Sequence, residues 1–325
     1  MSPGRPTGPS GAVTVGVDIG GTKVLAGVVD DRGAVRRTAR RATPGRRVQV
    51  QQVEDAIVEA VLDAAAGRFL AAVGVAAAGF VDAAGERVMF APHLPWQGEP
   101  VREVLEDRLG CPVVLDNDAN CAVLAEAAYG SARGTRSALM VTMGTGIGGA
   151  VLLDGRVLRG ANGMAGEFGH MQVVPDGRPC ECGRQGCWEQ YSSGNALVRE
   201  ARLLMAEQPS VLVELCDGDP GRLTGPLVSA AAEQGDLIAK EAFTSVGDWL
   251  GVGVANLVAA LDVEVVVVGG GVSAAGDRLL DPARTALART LVGGRHRTVP
   301  ALVQAALGPE AGLVGAALLA GQARR

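Results

Sequence analysis

The sequence predicts an α/β protein of two domains, and three observations carry that prediction. Apolar, β-rich runs alternate with helical stretches along the chain. Three of those runs end in glycine turns: VTVGVDIGGTK (13–23), ALMVTMGTGIGG (138–149) and VEVVVVGGGVS (263–273). The third is length, since 325 residues exceed one ordinary core and suit two domains that each bury their own.

Taken in order, residues 1–12 open with MSPGRPTGPSG, which is rich in Pro, Gly and Ser and lacks an apolar h-region, so they read as a disordered leader and not a signal peptide. The run from Val13 is a strand; a glycine turn follows, and VLAGVVDDRG returns as an antiparallel strand. Seven arginines, Arg32, Arg36, Arg37, Arg40, Arg41, Arg46 and Arg47, come next. No aromatic residues are interleaved for stacking on bases, so they read as a solvated face. VQQVEDAIVEAVLDAAAG (50–67) is helical. The run from Val113 to Asp116 is a strand that stops at a polar turn, with a helix beginning near Asn120. The second glycine turn repeats the first 126 positions on, counted from Asp18 to Gly144, and AVLLDGRVLRG carries an Asp154-Gly155 hairpin signal. Helices over 237–261 and 310–321 flank the third turn.

Composition excludes several classes. The hydrophobic fraction is 48%, but it is spread through short runs with no apolar stretch of spanning length, which argues against a membrane protein. A net charge of −5 argues against a general nucleic-acid partner. The expected location is the cytoplasm, where six cysteines stay thiols and a tight group of three holds a metal more readily than it pairs.

The glycine turns point to phosphate. GTGIGG fits G-x-G-x-x-G at Gly144, Gly146 and Gly149, but a strand follows it where a dinucleotide fold needs a helix, and no P-loop occurs. Backbone amide nests, one per domain across a cleft, remain as a polyphosphate site. In VVLDNDANCAVLAEAAYG, two aspartates and two asparagines at the carboxyl end of a strand suit sugar hydroxyls. Asp118, furthest into the turn, suits a base that accepts a hydroxyl proton during phosphoryl transfer.

Together VDIGGTK, DNDANCAVLAE, GTGIGGAVLLDGRVLRG, GMAGEFGHM, CECGRQGCWEQYSSGNAL and VVVVGGGVS resemble the ROK family (repressor, open reading frame, kinase) of the actin-like sugar-kinase superfamily, from about Val13 to Leu319. Within the family the chain looks most like the ATP-dependent bacterial glucokinases. It departs in GVAAAGFVD (74–82), where many members carry a Pro.

The resemblance implies a two-domain actin-like (ribonuclease H-like) ATPase fold with a cleft. A small domain would cover 13–133, completed by a C-terminal helix over 310–325, and a large domain 134–309. It implies phosphorylation of glucose by ATP at the 6-hydroxyl with magnesium, Asp118 being the general base. Asp18, Gly20, Gly21, Thr22 and Lys23 would form the first phosphate loop, Asp18 helping to place magnesium; Gly144, Thr145, Gly146 and Gly148 would form the second, and Gly270 and Gly271 would contact adenosine. Gly79, Asn117, Asp118, Glu167, His170 and Glu189 would hold the sugar. His170, Cys180, Cys182 and Cys187 make a Cys3His set suited to a closed, structural zinc site that keeps Glu167 and Glu189 in register. A homodimer or homotetramer is expected. Another hexose such as N-acetylmannosamine or fructose, polyphosphate as donor, and a non-catalytic sugar-sensing regulator stay open. A DNA-binding regulator would need a helix-turn-helix ahead of the first strand, and twelve residues are too few for one.

Overall fold

The computed structural model describes residues 11–323, so the first ten residues of the leader expected over 1–12 and the last two positions of the C-terminal helix expected over 310–325 lie outside the described residues. In chain order the elements are β1 (Val13–Ile19), β2 (Lys23–Val29), β3 (Val35–Ala42), α1 (Val50–Ala65), β4 (Leu70–Ala77), β5 (Phe80–Val81), β6 (Val88–Phe90), α2 (Val101–Leu109), β7 (Val113–Asn117) and α3 (Asp118–Tyr129). There follow β8 (Ala138–Met143), β9 (Ile147–Leu153), β10 (Arg156–Val157), α4 (Gly194–Met205), α5 (Leu212–Leu215), α6 (Gly225–Glu233), α7 (Leu237–Leu261), β11 (Val265–Gly269), α8 (Asp277–Thr290), β12 (Ala301–Gln304) and α9 (Ala311–Ala323).

The chain divides into two units, one of residues 1–134, 156–165 and 309–325 and the other of 135–155 and 166–308. In the first, the strand order is β3-β2-β1-β4-β7. β1 pairs antiparallel with β2 (Val17 opposite Ala26) and parallel with β4 (Val17 opposite Val75), and β4 pairs parallel with β7. β4, LAAVGVAA, is buried along its whole length, as a central strand covered on both faces must be. β3 lies at the edge, where Arg36 pairs with Asp30, Arg37 with Asp63, and Arg41 with Glu59 and Asp63. Arg36, Arg37 and Arg41 therefore make β3 a solvated, ion-paired edge, a common protection against strand addition. α1 covers one sheet face with Val53, Ala56, Ile57, Ala60, Val61 and Ala64, a helical stripe, and stops where Ala66 and Gly67 turn left-handed. α9 covers the other face in a different way. A Cβ on Gly16 would lie 2.0 Å from the Leu313 carbonyl oxygen and one on Gly74 1.8 Å from that of Ala316, so helix backbone rests on strand backbone.

The second unit repeats the plan with the strand order β9-β8-β11-β12. β8 and β9 form an antiparallel hairpin, and β8, β11 and β12 run parallel. The repeat suspected from the glycine turns is thus a repeat of topology. α7 begins at Asp236, whose carboxylate accepts the Ala239 N–H at 2.8 Å, and ends at Asp262 in left-handed conformation. At 25 residues it is long and apolar enough by composition to cross a membrane, contrary to the reading that no stretch is. Phe243, Val246, Leu250, Val254 and Val258 nonetheless lie in the core of this unit, the position of a central helix in a water-soluble core.

Candidate active site

The first unit brings together the first glycine turn, Gly79 and the start of α3. β1 ends at Ile19 and β2 begins at Lys23, and the turn closes as the Gly20 N–H donates to the Lys23 carbonyl at 3.1 Å. Thr43, a residue the sequence reading missed, steadies this turn. Its hydroxyl donates to the Gly20 carbonyl at 2.8 Å and its N–H to that of Thr22 at 3.2 Å. A Cβ on Gly21 would come 2.8 Å from that of His93, so packing explains that glycine. It does not explain Gly20, Gly144 or Gly271. None of these three has a neighbouring atom within 4 Å of where its Cβ would stand, and none has a positive φ.

The polar turn expected after Asp116 does not exist. β7 runs to Asn117, and α3 starts at Asp118 instead of near Asn120, because Asn117 is itself the cap. Its Oδ1 accepts the Ala119 and Asn120 N–H groups at 2.9 and 3.3 Å, and its Nδ2 donates to the Gly79 carbonyl at 3.0 Å. Gly79 must be glycine, since a Cβ there would lie 2.6 Å from the Phe90 carbonyl oxygen. Nor do all four polar residues face a ligand. Asp116 is buried, its Oδ2 accepting from Arg159 and its Oδ1 from the Asn117 N–H and Asn120 Nδ2.

Asp118, first residue of α3, is half-buried, and its Oδ1 accepts the Ala119 N–H at 2.9 Å. Burial raises its pKa, and the hydrogen bonds from the Ala119 N–H and Asn117 oppose the rise. Asp18 is pushed up to about 6 by burial and then by the Asp118 charge, with Lys23 pulling it back. Two carboxylates thus hold protons more tightly than ordinary ones, a pattern that marks functional sites.

The second unit gathers the other two turns and the cysteine cluster. The Gly144 N–H donates to the Gly146 carbonyl at 3.0 Å, and the Gly144 and Thr145 carbonyls accept the N–H groups of Gly194 and Asn195, where α4 begins, at 2.8 and 3.3 Å. Gly148 stands in β9 opposite Thr142, outside the turn. Gly270, with φ of 82°, is required by the fold, since its Cβ would meet the Met143 carbonyl oxygen at 2.4 Å.

In the cluster, the ligand atoms of His170, Cys180, Cys182 and Cys187 lie within 4.8 Å of one another. Zn–S bonds of about 2.3 Å put two sulfurs of a tetrahedron about 3.8 Å apart. The Cys182 and Cys187 sulfurs are 3.6 Å apart, and the Cys180 sulfur lies 3.8 Å from His170 Nδ1, so the set fits that ion. Left-handed Gly183 and Gly186 fold the loop, a Cβ on Gly186 falling 1.7 Å from the Val174 carbonyl oxygen. Burial pushes the Cys180 thiol up to about 12, and it donates to Glu189 Oε1 at 3.1 Å. The other Glu189 oxygen would lie 2.3 Å from a Cβ on Gly146, so this carboxylate spans the cluster and the second turn. His170 Nε2 looks towards Glu167 at 4.0 Å. Behind Cys187, Trp188 is fully buried, its Nε1 donating to the Trp249 carbonyl at 2.7 Å. Cys111, Cys121 and Cys216 are buried, as small hydrophobes are expected to be.

Comparison with protein families matches residues 14–323 to the ROK family. The glucokinase of Streptomyces coelicolor is 45% identical over 311 residues, covering 95% of this chain and 97% of that protein. A ROK family glucokinase from Streptomyces griseus, solved in complex with glucose and AMPPNP, superposes with a TM-score of 0.86 at 45% identity, over 96% of this chain and 100% of that one. A ROK hexokinase from Thermus thermophilus superposes with a TM-score of 0.76 at 36% identity, over 95% and 98% of the two chains.

Proposed function

The chain belongs to the ROK family and phosphorylates glucose with ATP, and from that premise we propose that Asp118 is the general base for the 6-hydroxyl. Its position at the start of a capped helix, with burial raising its proton affinity, carries this reading. A base is most effective when its pKa approaches the working pH, and burial moves Asp118 in that direction. As the hydroxyl oxygen attacks the γ-phosphorus, the bond from that phosphorus to the bridging oxygen breaks, ADP leaves with the electron pair, and the hydroxyl proton passes to the Asp118 carboxylate. Asn117 fixes the approach by tying the helix start to Gly79. Glu167, His170 and Glu189 accept and donate to the remaining sugar hydroxyls.

The first two glycine turns carry the phosphates. Neither packing nor φ demands glycine at Gly20, Gly144 or Gly271, and close approach of a ligand to the backbone does. Magnesium, when bound, neutralises charge on the β- and γ-phosphates. Asp18 suits it, being a buried carboxylate beside a second one, Asp118, with Lys23 offsetting part of that charge. Zinc would be held by His170 Nδ1 and the three thiolates as a structural ion, leaving His170 Nε2 for the sugar. A cytoplasmic setting, with ATP and reduced thiols, suits this chemistry.

The test is Asp118→Asn, which keeps a carbonyl oxygen for the Ala119 N–H and cannot take the proton. A loss on the order of 10² or more in turnover is expected, with glucose affinity little changed. Turnover near that of the parent would move the role to another residue.

A further inference from the structure

We infer that Arg159 is a positioning residue for phosphoryl transfer, bracing the Asn117–Asp118 helix start through Asp116; the inference rests on the assignment of Asp118 as base. The Arg159 guanidinium reaches Asp116 Oδ2 with two donors, Nε at 3.0 Å and Nη2 at 2.5 Å. The Asp116 side chain is 4% exposed, so its charge depends on partners within the protein. Its other oxygen accepts the Asn117 N–H and the Asn120 Nδ2, each at 2.8 Å. One carboxylate therefore holds the last residue of β7 and the first turn of α3 together. Asn117 carries the linkage on, capping α3 with Oδ1 and holding the Gly79 carbonyl with Nδ2.

The backbone around Arg159 is arranged to deliver it. Residues 156–165 belong to the first unit although the chain on both sides belongs to the second. The segment closes on itself as the Ala165 N–H donates to the Arg159 carbonyl at 3.1 Å. It docks a second time at Gly163, left-handed at φ 76°, whose Cβ would fall 2.0 Å from the Val81 carbonyl oxygen. Val81 lies two residues after Gly79. The segment thus grips both supports of the proposed acceptor site, Gly79 through its neighbour and Asp118 through Asp116. Loss of Arg159 leaves a buried carboxylate unpaired. A carboxylate that turns towards water to regain a partner loosens its hold on the Asn117 N–H and Asn120.

A displacement of about 1 Å in a reacting group costs up to about 10²-fold in rate. Arg159→Ala is therefore expected to lower kcat roughly 10- to 100-fold while the KM for ATP stays within about twofold. Arg159→Lys, which restores one charged donor without the fork, should recover part of the loss. The decisive measurement is Arg159→Ala in the Asp118→Asn background. A residue that acts through Asp118 adds less than about twofold there, whereas an independent structural contribution multiplies in full. Three results overturn the inference: folded Arg159→Ala with kcat within about twofold of the parent, equal KM rises for ATP and glucose, or full additivity with Asp118→Asn. Should Arg159→Ala not fold, Arg159→Gln, which keeps most of the stem without the charge, is judged by the same criteria. Normal turnover in Asp118→Asn alone removes the base assignment and this inference with it. An inactive Asp118→Asn beside a normal Arg159→Ala removes only the role of Arg159.

Discussion

Replacing Asp18 by Asn should make the protein more stable and less active at once. In the folded state the Asp18 pKa is raised from 3.8 to about 6, first by burial and then by the Asp118 charge. The difference, about 2.2 units at about 1.4 kcal/mol each, is about 3 kcal/mol of destabilisation borne by the ionised carboxylate at neutral pH. A neighbour trims that figure. A Cβ on Gly312 would stand 3.2 Å from Asp18 Oδ1, so the carboxylate lies beside the first turn of α9, where the helix dipole favours an anion by up to about 1 kcal/mol. A net gain of about 2 kcal/mol remains for Asp18→Asn above pH 7, or roughly 4–8 °C in the melting temperature if the first unit melts as one body.

The pH dependence gives the stricter test. Because the folded pKa lies above the unfolded one, the proton-bound form stabilises the fold fully below pH about 4, and that contribution is lost as pH rises through about 6. The advantage of Asn should accordingly be full at pH 8 and vanish towards pH 4. Differential scanning calorimetry of both proteins at several pH values, without nucleotide or magnesium, measures it. A melting temperature for Asp18→Asn equal to or below the parent's at pH 8, or an advantage that persists unchanged at pH 4.5, would refute the reasoning.

Other perturbations separate the two substrates. Cys182→Ala should remove bound zinc and weaken glucose binding more than ATP binding; Trp188 holds its loop to α7 independently of the metal, and α4 behind it still supports the Gly144 and Thr145 carbonyls. Elemental analysis and separate titrations with glucose and ATP check this, and unchanged glucose affinity in a folded, zinc-free variant would sink the idea. Gly146→Ala pushes a methyl group against Glu189, so the KM for glucose should rise along with that for ATP. An effect confined to ATP would show that Glu189 moves aside without consequence. Omission of divalent cations should abolish glucose 6-phosphate formation in a coupled assay, and equal rates in EDTA would contradict the part given to magnesium.

The parts legible in the sequence are those specified by short-range chemistry. The strand–turn–strand units show because apolar, β-rich runs end in glycine, and the apolar stretch over 237–261 is the span that α7 occupies between Asp236 and Asp262. The start of α3 was misplaced because a single Asn can close a strand and cap a helix together, leaving no room for a turn. Glycine proved an ambiguous signal. Gly270 answers to packing and φ and Gly148 to strand pairing, while Gly20 and Gly144 answer to neither. Arg159 escaped notice because its partner lies 43 positions away in the sequence, and an ion pair at that distance leaves no periodic trace.

The seat of α9 has a consequence for the order in which the molecule is made. The first unit draws on both ends of the chain, while the second comes almost wholly from the interior. Until α9 has been made, the strand backbone at Gly16 and Gly74 has no helix to lie on, and no side chain there can shield it in the meantime. The unit that waits for α9 also carries Asp18 and Asp118. Synthesis thus favours a nascent chain whose interior unit closes first, and whose Asp18 meets the first turn of α9 only once that helix has been made.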